Sequence, residues 1–429
     1  MKTLLSFLIL ILVTVTTIQA QWIDHQDPIF ANATLTSVQV LDKNNIWAIN
    51  YTTDEIIKTT NGGLTWTVLP VNDPTFPNAW MESISVLDPN TAWATAIIQP
   101  SSVHYSRTYK TIDGGATWQI QNTFTNNWTT ANHFFDANNG LNLGLMQYTN
   151  STSTYVAPAI SITINGGTTW APVSVSNLPA GSLPISRRAF SVVNNTIWYM
   201  GWDAWIYKSM DKGQTWTAID PGFPTAPSNA PKSVAFINAN NGLAASNGVL
   251  KRTTDGGATW VTVNPNGTWK SDEIVAVPGT ASTYISAGRY AGNAGSYVSF
   301  DNGDTWQILE SANKHYDIHF KDPFTGWSGG LGIMHKFGSN ILSAPKPLPS
   351  VNTNFTISPN PTTGIFTVSG NPVQSFMVEV YNLTGLKVKQ QQIQPFRPGK
   401  IDLSNQPKGM YLLKIISKGQ IYTKKVVVQ

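Results

Sequence analysis

One octapeptide occurs six times in this chain and constrains its fold more than any other feature. Each copy runs from Thr or Ser through Asp or Asn and Gly to a Thr-Trp pair, as in TIDGGATW at 111–118. The spacings between the closing tryptophans are 52, 52, 46, 44 and 46 residues, a period that suits four-stranded β-units rather than helical repeats. An Asp or Asn that bonds nearby amides before a left-handed Gly is typical of a tight turn between strands. Six residues are therefore predicted to be structural: Asn61, Asp113, Asn165, Asp211, Asp255 and Asp301.

A second pattern lies between the octapeptides and occurs seven times. Each copy is an apolar strand, a short turn at Asp or Asn or an equivalent residue, and a second strand, as in SVQVLDKNNIWAIN. Trp22 stands 25 residues before Trp47, and the corresponding spacings elsewhere fall between 21 and 28 residues. We therefore predict an all-β fold, a seven-bladed β-propeller in which the strand at Trp22 closes the last blade and leaves no exposed sheet edge.

The octapeptide resembles the Asp-box repeat, also called the BNR repeat, of sialidases and other β-propellers. Its form at 111–118 looks most like that of propellers related to the photosystem II assembly factor. Sialidases hold a carboxylate with three arginines and use a Tyr–Glu pair as nucleophile. The propeller region has five arginines and no Arg-Ile-Pro sequence near its start, so we do not expect sialidase activity.

Strand direction predicts two faces for such a ring. The octapeptide turns and the turns between first and second strands share one face, here called the octapeptide face. The longer connections share the opposite face, here called the loop face, where variable loops on a rigid scaffold favour binding. Five tryptophans outside the repeats are predicted on the loop face, either as wedges between blades or as stacking platforms for a carbohydrate or peptide: Trp80, Trp128, Trp202, Trp205 and Trp269.

A gapless alignment of the seven first strands identifies one variable position, six residues before each turn. It is occupied by Thr36, Glu82, Thr130, Arg188, Lys232, Asp272 and Tyr316. These residues are predicted to ring one mouth of the central channel, either as a binding mouth or as a solvated rim. Arg188, Tyr316 and Arg289 join the five tryptophans as candidate ligand-binding residues. Glu82 and Asp272 are weak candidates for a catalytic pair, because glycoside hydrolysis needs two facing carboxyl groups.

Composition and charge narrow the function further. The chain has no cysteine, which excludes disulfides, thiolate zinc sites and thiol catalysis; we predict no metal site and no cofactor. From residue 350 onward nine basic residues face two acidic ones, whereas residues 21–349 hold 17 basic and 21 acidic residues, a net charge of −4. The basic charge therefore belongs to the C-terminal segment, and we do not expect nucleic-acid binding.

Three boundaries follow from local composition. Residues 1–20 combine Lys2, an apolar run and a small residue before Gln21, as in a secretory signal peptide. No other segment is apolar enough for a membrane-spanning helix. A proline-rich linker is predicted at 339–353, between a propeller at 21–338 and a final domain at 354–429.

The final domain reads as a small Ig-like β-sandwich and closely resembles the type A C-terminal sorting domain of type IX secretion. The residues that carry the resemblance are Pro359, Asn360, Pro361, Gly364, Gly409, Tyr411, Lys424 and Lys425. The resemblance implies a Gram-negative bacterium, the type IX machinery as a partner, and passage through the periplasm to the medium or the outer cell surface.

These observations predict an exported binding or interaction module that takes a glycan or protein ligand on its loop face. Two alternatives stay open: a secreted glycoside hydrolase acting on polysaccharide, and a surface assembly or scaffold factor.

Overall fold

The computed structural model describes most of the chain, namely residues 22–77, 79–99, 103–149, 154–174, 177–178, 185–224, 232–290, 292–338, 355–369, 375–382, 386–394, 398–417 and 420–429. The predicted signal peptide lies outside these residues, as does the whole of the predicted linker at 339–353. The chain divides into two compact units, Met1–Ser343 and Ala344–Gln429, and each is described by itself.

The first unit is all-β apart from one turn of 3-10 helix at Pro28–Phe30 within its described residues. Strand β1 (Trp22–His25) comes first, followed by six four-stranded antiparallel sheets, numbered here in chain order. The strands of sheets 1 to 3 are β2 (Leu35–Val40), β3 (Ile46–Asn50), β4 (Glu55–Thr59), β5 (Thr67–Leu69), β6 (Trp80–Val86), β7 (Ala92–Ile98), β8 (Tyr105–Thr111), β9 (Gln119–Thr125), β10 (Asn127–Phe134), β11 (Gly140–Thr149), β12 (Thr154–Thr163) and β13 (Ala171–Pro172). The strands of sheets 4 to 6 are β14 (Ile185–Val193), β15 (Thr196–Gly201), β16 (Ile206–Ser209), β17 (Thr217–Ile219), β18 (Lys232–Phe236), β19 (Gly242–Ser246), β20 (Val249–Thr253), β21 (Val261–Val263), β22 (Glu273–Ala276), β23 (Tyr284–Gly288), β24 (Gly295–Ser299) and β25 (Gln307–Glu310).

Sheet 7 is completed by the N-terminal strand. It contains β26 (Asp317–Asp322), β27 (Thr325–Gly329) and β28 (Met334–Phe337), and β1 pairs antiparallel with β28, with Trp22 opposite Phe337 and His25 opposite Met334. The indole of Trp22 is buried and donates to Ser296 Oγ of sheet 6 at 2.9 Å. The two ends of the unit are therefore joined by a sheet ladder, as the position of Trp22 predicts.

The first strands of the seven sheets contact one another in cyclic order, and β26 returns to β2. At six of the seven junctions a side chain of one first strand accepts a backbone N–H of the next. One such bond at each of these six junctions, among the described residues, is Ser37 Oγ from Ile84 (3.0 Å), Ser85 Oγ from Phe134 (2.9 Å), Ser191 Oγ from Phe236 (2.9 Å), Ser233 Oγ from Ile274 (2.8 Å), Glu273 Oε1 from Ile318 (3.0 Å) and Asp317 Oδ2 from Val38 (2.7 Å). Neighbouring first strands share no ladder, so these acceptors satisfy amides that would otherwise be buried without a bond.

The octapeptides form the turns between the third and fourth strands. In the second copy Thr111 Oγ1 accepts from Gly115 N at 2.8 Å, and Asp113 Oδ1 accepts from Thr117 N at 2.9 Å. Hydrogen bonds from threonine side chains and the Thr117 amide lower the pKa of Asp113 to about 2. Gly114 N donates to Asn90 O of the first turn in the same sheet at 2.9 Å, so both turns lie on the octapeptide face.

Lysines of the third strands connect neighbouring sheets on this face. Lys58 Nζ of sheet 1 donates to Gly114 O of sheet 2 at 3.2 Å and lies 4.3 Å from the ring centroid of Trp47. Lys336 Nζ of sheet 7 donates to Gly62 O of sheet 1 at 3.3 Å, so the same contact recurs at the junction of the last sheet with the first. The second-strand tryptophans beneath these lysines are fully buried: Trp47, Trp93, Trp198 and Trp327.

The second unit is a two-sheet sandwich in its described residues. One sheet contains β29 (Thr356–Ser358), β30 (Ile365–Ser369) and β33 (Gly399–Asp402). The other contains, in spatial order, β32 (Lys387–Ile393), β31 (Phe376–Tyr381), β34 (Gly409–Ser417) and β35 (Gln420–Val428). Alternate residues of both sheets share one core that includes Phe366, Val378, Leu413 and Val426, which is the period-2 pattern of strands with one buried face.

Among the described residues, no helix has the length and apolar character needed to span a membrane.

Candidate functional site

The seven first strands surround a central cavity of about 440 Å³ in the first unit. Its wall carries both polar and apolar side chains, among them Glu82, His133, Glu273, Asp317 and His319. The lining runs from Glu82 and Thr130 in the first halves of two first strands to Pro278 and Gly279 in the first turn of sheet 6, so the cavity follows the first strands toward the octapeptide face.

The histidines of the cavity are neutral at physiological pH. Burial lowers the pKa of His319 to about 4, and burial together with repulsion from His319 lowers the pKa of His133 to about 4. Nδ1 of His319 accepts the Val40 N–H at 3.0 Å, which places the ring proton on Nε2. Because His319, Glu273 and Asp317 all accept backbone amides of neighbouring strands, part of this polar lining is structural.

The seven residues predicted to ring the channel mouth fall in the first half of each first strand or directly before it. Three of its members, Thr36, Glu82 and Thr130, lie at β-bulges where the register with the second strand shifts. These three are buried, as are Lys232 and Asp272, so the ring is not a freely solvated rim at these positions. Tyr316 is half-buried, and the side chain of Arg188 lies outside the described residues.

Asp272 and Arg289 are joined by two hydrogen bonds in sheet 6. Oδ2 of Asp272 accepts the Arg289 backbone N–H at 3.0 Å, and Nη2 of Arg289 donates to the Asp272 carbonyl at 2.7 Å. The same Nη2 lies 3.9 Å from Glu273 Oε2. Asp272 thus holds the loop after β23 in place and is 3% exposed, an environment that differs from the open cleft of a catalytic carboxylate.

The structure separates the five off-repeat tryptophans into two groups. Trp80 and Trp205 are 42% and 40% exposed, Trp80 as the first residue of β6 and Trp205 in the loop between β15 and β16. Trp128 stacks on His104 with centroids 5.2 Å apart, and Trp269 stacks on Trp306 at 6.4 Å. Trp128, Trp202 and Trp269 are only partly exposed, so Trp80 and Trp205 present the larger surfaces to a ligand.

Three loop-face residues were missed by the sequence argument. Tyr51 and Tyr290 are 38% and 58% exposed in the loops after β3 and β23. Asp54 adopts a left-handed φ of 57°, and burial raises its pKa to about 6, although a bond from Met81 N acts in the opposite direction. No repeat marks these positions. For Asp54 the sequence offered one signal: an Asp in a loop that belongs neither to an octapeptide nor to a first turn.

One buried cluster has the atom types of a hydrolase triad without its accessibility. His315 lies 2.6 Å from Ser328 Oγ and 2.9 Å from Glu310 Oε1 through its two ring nitrogens. Burial raises the pKa of Glu310, but bonds from His315 and from the Asn313 amide outweigh it and hold the pKa below its ordinary value. Ser328 and His315 are both 0% exposed, so no substrate reaches the hydroxyl, and the cluster ties β27 to sheet 6. No group of three or more metal-ligating side chains occurs among the described residues.

The motif residues of the second unit converge on its last strand. The Asn360 side chain accepts from Val427 N and donates to Lys425 O, both at 2.9 Å. Tyr411 donates to Pro407 O at 2.5 Å, and Leu403 N donates to Gly364 O at 2.7 Å. Pro359 and Pro361 flank Asn360, Gly409 opens β34, and Lys424 and Lys425 lie on β35. Separated sequence motifs thus build one local arrangement around β35.

Comparisons with known proteins separate the same two units. Residues 356–429 match the family model described as a secretion system C-terminal sorting domain. Two solved structures are similar to this chain: "YCF48 bound to D1 peptide" (17% identity, TM-score 0.56, covering 74% of this chain and 97% of that one) and "YCF48 from Cyanidioschyzon merolae" (17% identity, TM-score 0.53, covering 74% and 99%). No curated protein matches this sequence. The chain therefore carries a β-propeller fold and a C-terminal sorting domain, and the sorting domain indicates export.

Proposed function

We propose that this protein is an exported binding module that takes a glycan or protein ligand on the loop face of a seven-bladed propeller. The signal peptide would comprise residues 1–20, the propeller 21–338, the linker 339–353 and an Ig-like sorting domain 354–429. Seven four-stranded sheets with cyclic contacts between their first strands support the blade count. The two facing sheets of the second unit support the Ig-like description.

The observation that carries the proposal is the chemistry of the loop face. On the loop face the rings of Trp80, Trp205 and Tyr290 are exposed, and the first strands of the same propeller surround a cavity of about 440 Å³ with a partly polar wall. Aromatic rings exposed beside convergent polar groups are typical of ligand sites, because the ring faces stack on sugars or side chains while the polar groups fix orientation. The octapeptide face, in contrast, is formed by turns whose polar groups bond one another.

The sorting domain supports delivery of this module to the outside of the cell by the type IX machinery. In that location the loop face would meet extracellular glycans or surface proteins. YCF48, whose fold is similar, has been solved bound to a D1 peptide, which supports including protein ligands in the proposal.

The experiment is a paired binding measurement on the full mature chain. The double variant Trp80→Ala/Trp205→Ala removes two exposed loop-face rings, and Phe324→Ala removes one that is 55% exposed in the first turn of sheet 7, on the octapeptide face. We expect the double variant to lose binding on glycan and peptide arrays and Phe324→Ala to keep it. Equal binding by all three proteins, or no ligand at all for the wild-type chain, contradicts the proposal.

The hydrolase alternative is tested separately. Incubation with polysaccharides and detection of released reducing sugars asks whether activity exists, and Glu82→Gln and Asp272→Asn ask whether these carboxyl groups carry it. Activity that survives both variants would exclude this pair. The scaffold alternative predicts instead a stable complex with an outer-membrane protein that forms without Trp80 or Trp205.

A further inference from the structure

The loop between β3 and β4 and the first residues of β6 bring two exposed aromatic rings and one carboxylate together on the loop face. Tyr51 and Asp54 belong to the loop, and Trp80 opens β6. Oδ1 of Asp54 accepts the backbone N–H of Met81, the residue next to Trp80, at 3.3 Å. The Asp54 carboxylate therefore lies at the backbone of β6, directly after the exposed Trp80, and three residues from the exposed Tyr51 in its own loop.

This loop is ordered by its own hydrogen bonds. Oδ1 of Asn50 accepts from Thr52 N at 3.1 Å and from Thr53 N at 3.3 Å, an Asx turn. Tyr51 N donates to Thr34 O at 2.9 Å, and Thr34 N donates to Thr52 Oγ1 at 3.0 Å. A loop held in one conformation before binding loses less entropy when a ligand docks.

Asp54 occupies an unfavourable environment for a charge. Burial raises its pKa to about 6, against a single opposing bond from Met81 N. The ionisable residues next to it in sequence on the two elements are also acidic: Glu55 opens β4 and Glu82 follows Met81. Carboxylates kept in a desolvated environment are enriched at functional sites, since a ligand cation relieves the cost of their charge.

We propose that Tyr51, Asp54 and Trp80 form a site for a cationic side chain, the ammonium of a lysine or the guanidinium of an arginine presented by a protein ligand. The proposal rests on the loop-face function proposed above and specifies its ligand as a basic peptide segment. The carboxylate supplies the counter-charge, and the two ring faces supply cation–π contacts on either side.

Charge complementarity favours this occupant over a neutral sugar. Residues 21–349 carry a net charge of −4, so the field of the first unit attracts cations toward its surface. A neutral sugar would gain the ring contacts but would leave the Asp54 charge without compensation.

The test uses two synthetic octapeptides of alternating lysine and serine, acetylated and amidated at their ends, one with free and one with Nε-acetylated lysines. Binding to the full mature chain is measured by calorimetry at pH 7.5 and low ionic strength. We expect the free-lysine peptide to bind about ten-fold more tightly than its acetylated form. Asp54→Asn and Trp80→Leu should each weaken the affinity for the free-lysine peptide about ten-fold. Asp322→Asn is the matched control, because Asp322 also accepts one backbone amide in a turn, at 2.8 Å from Phe324 N, but on the octapeptide face. It should change affinity less than about two-fold.

The outcomes separate this inference from the general function. Equal affinity for the two peptides, or unchanged binding by Asp54→Asn, overturns the cationic site. If array ligands still depend on Trp80 and Trp205 in that case, the loop-face function stands while its ligand class is wrong. If Asp322→Asn weakens binding as much as Asp54→Asn, the attraction is a general effect of net charge, and the specific site is overturned. Asn at position 54 tolerates a left-handed φ, so Asp54→Asn should fold.

Discussion

Asp317 and Val38, far apart in the sequence, are joined by a 2.7 Å hydrogen bond from the Val38 backbone N–H to the Asp317 carboxylate. The bond crosses the junction where sheet 7 meets sheet 1. His319 repeats the contact two residues on, accepting from Val40 N at 3.0 Å. Ring closure therefore depends on side-chain acceptors inside the channel as well as on the pairing of β1 with β28 at the outer edge.

We expect Asp317→Ala to destabilise the first unit by about 1–3 kcal/mol, because the Val38 amide loses its acceptor where water has poor access. Urea unfolding followed by tryptophan fluorescence measures the change. Asp322→Ala removes a carboxylate from an exposed turn of the same strand and should cost less. A smaller effect for Asp317→Ala than for Asp322→Ala would show that the closing bond contributes little.

Trp22→Ala should destabilise the first unit by about 3–5 kcal/mol, the usual cost of truncating a large buried aromatic side chain. Trp22 is 4% exposed, and its indole reaches Ser296 in sheet 6. Ile23 belongs to the same strand, opposite Lys336, but is 52% exposed, so Ile23→Ala serves as the control with little expected change. Thermal unfolding by circular dichroism distinguishes the two, and similar midpoints for both variants would argue against β1 as the closing strand.

The repeats made the architecture predictable, and their absence elsewhere limited the prediction of the site. The Trp22 spacing predicted the strand that pairs with β28, and the octapeptides predicted the turns on their face. The structural side chains inside the channel, such as Asp317 and Ser233, were not identified, because they act across neighbouring sheets and follow no period along the chain.

The candidate site residues differ in their burial and contacts, and the sequence did not predict this difference. Composition singled out five tryptophans but could not show that Trp128 and Trp269 stack on His104 and Trp306 while Trp80 and Trp205 face solvent. Likewise, the alignment found Asp272 at the channel mouth but not its bond to the Arg289 amide. Such contacts depend on loop conformations that pattern and propensity do not determine.

Gly63→Ala should cost more than Gly248→Ala, although both glycines have a left-handed φ, 89° and 78°. A Cβ on Gly63 would lie 2.4 Å from Cη2 of Trp327, whereas one on Gly248 meets nothing within 4 Å. Gly248→Ala should therefore show only the backbone cost of about 1–2 kcal/mol, and Gly63→Ala should add about 1–3 kcal/mol of overpacking at the junction of sheets 7 and 1. Equal midpoints in urea would contradict the clash.

Asn360→Ala should loosen the end of β35 in the sorting domain. The variant removes one acceptor from Val427 N and one donor to Lys425 O, at a cost of about 1 kcal/mol for exposed bonds. Hydrogen exchange of the Val427 amide should accelerate. Gln392→Ala, which removes a surface bond to Ser375 Oγ, is the control and should leave that amide unchanged. Unaltered exchange of the Val427 amide in Asn360→Ala would mean that Asn360 does not stabilise β35.

Asp54→Asn should stabilise the first unit at neutral pH and leave its stability unchanged in acid. Burial raises the folded pKa of Asp54 to about 6 from an ordinary 3.8, so the folded state holds its proton at pH values where the unfolded chain has lost it. Stability contributed by this group is therefore full below about pH 4 and is lost as pH rises through 6. Asp54 is only partly buried, and solvent screening reduces the expected gain at pH 7.5 to about 1 kcal/mol. Urea unfolding of wild type and variant at pH 4 and pH 7.5 measures the difference, with Asp322→Asn as the control.

A gain in stability at pH 4 equal to that at pH 7.5 would mean that the Asp54 charge is not the cause. A stabilised variant that binds the lysine peptide less tightly would show that Asp54 is retained for binding at the expense of stability.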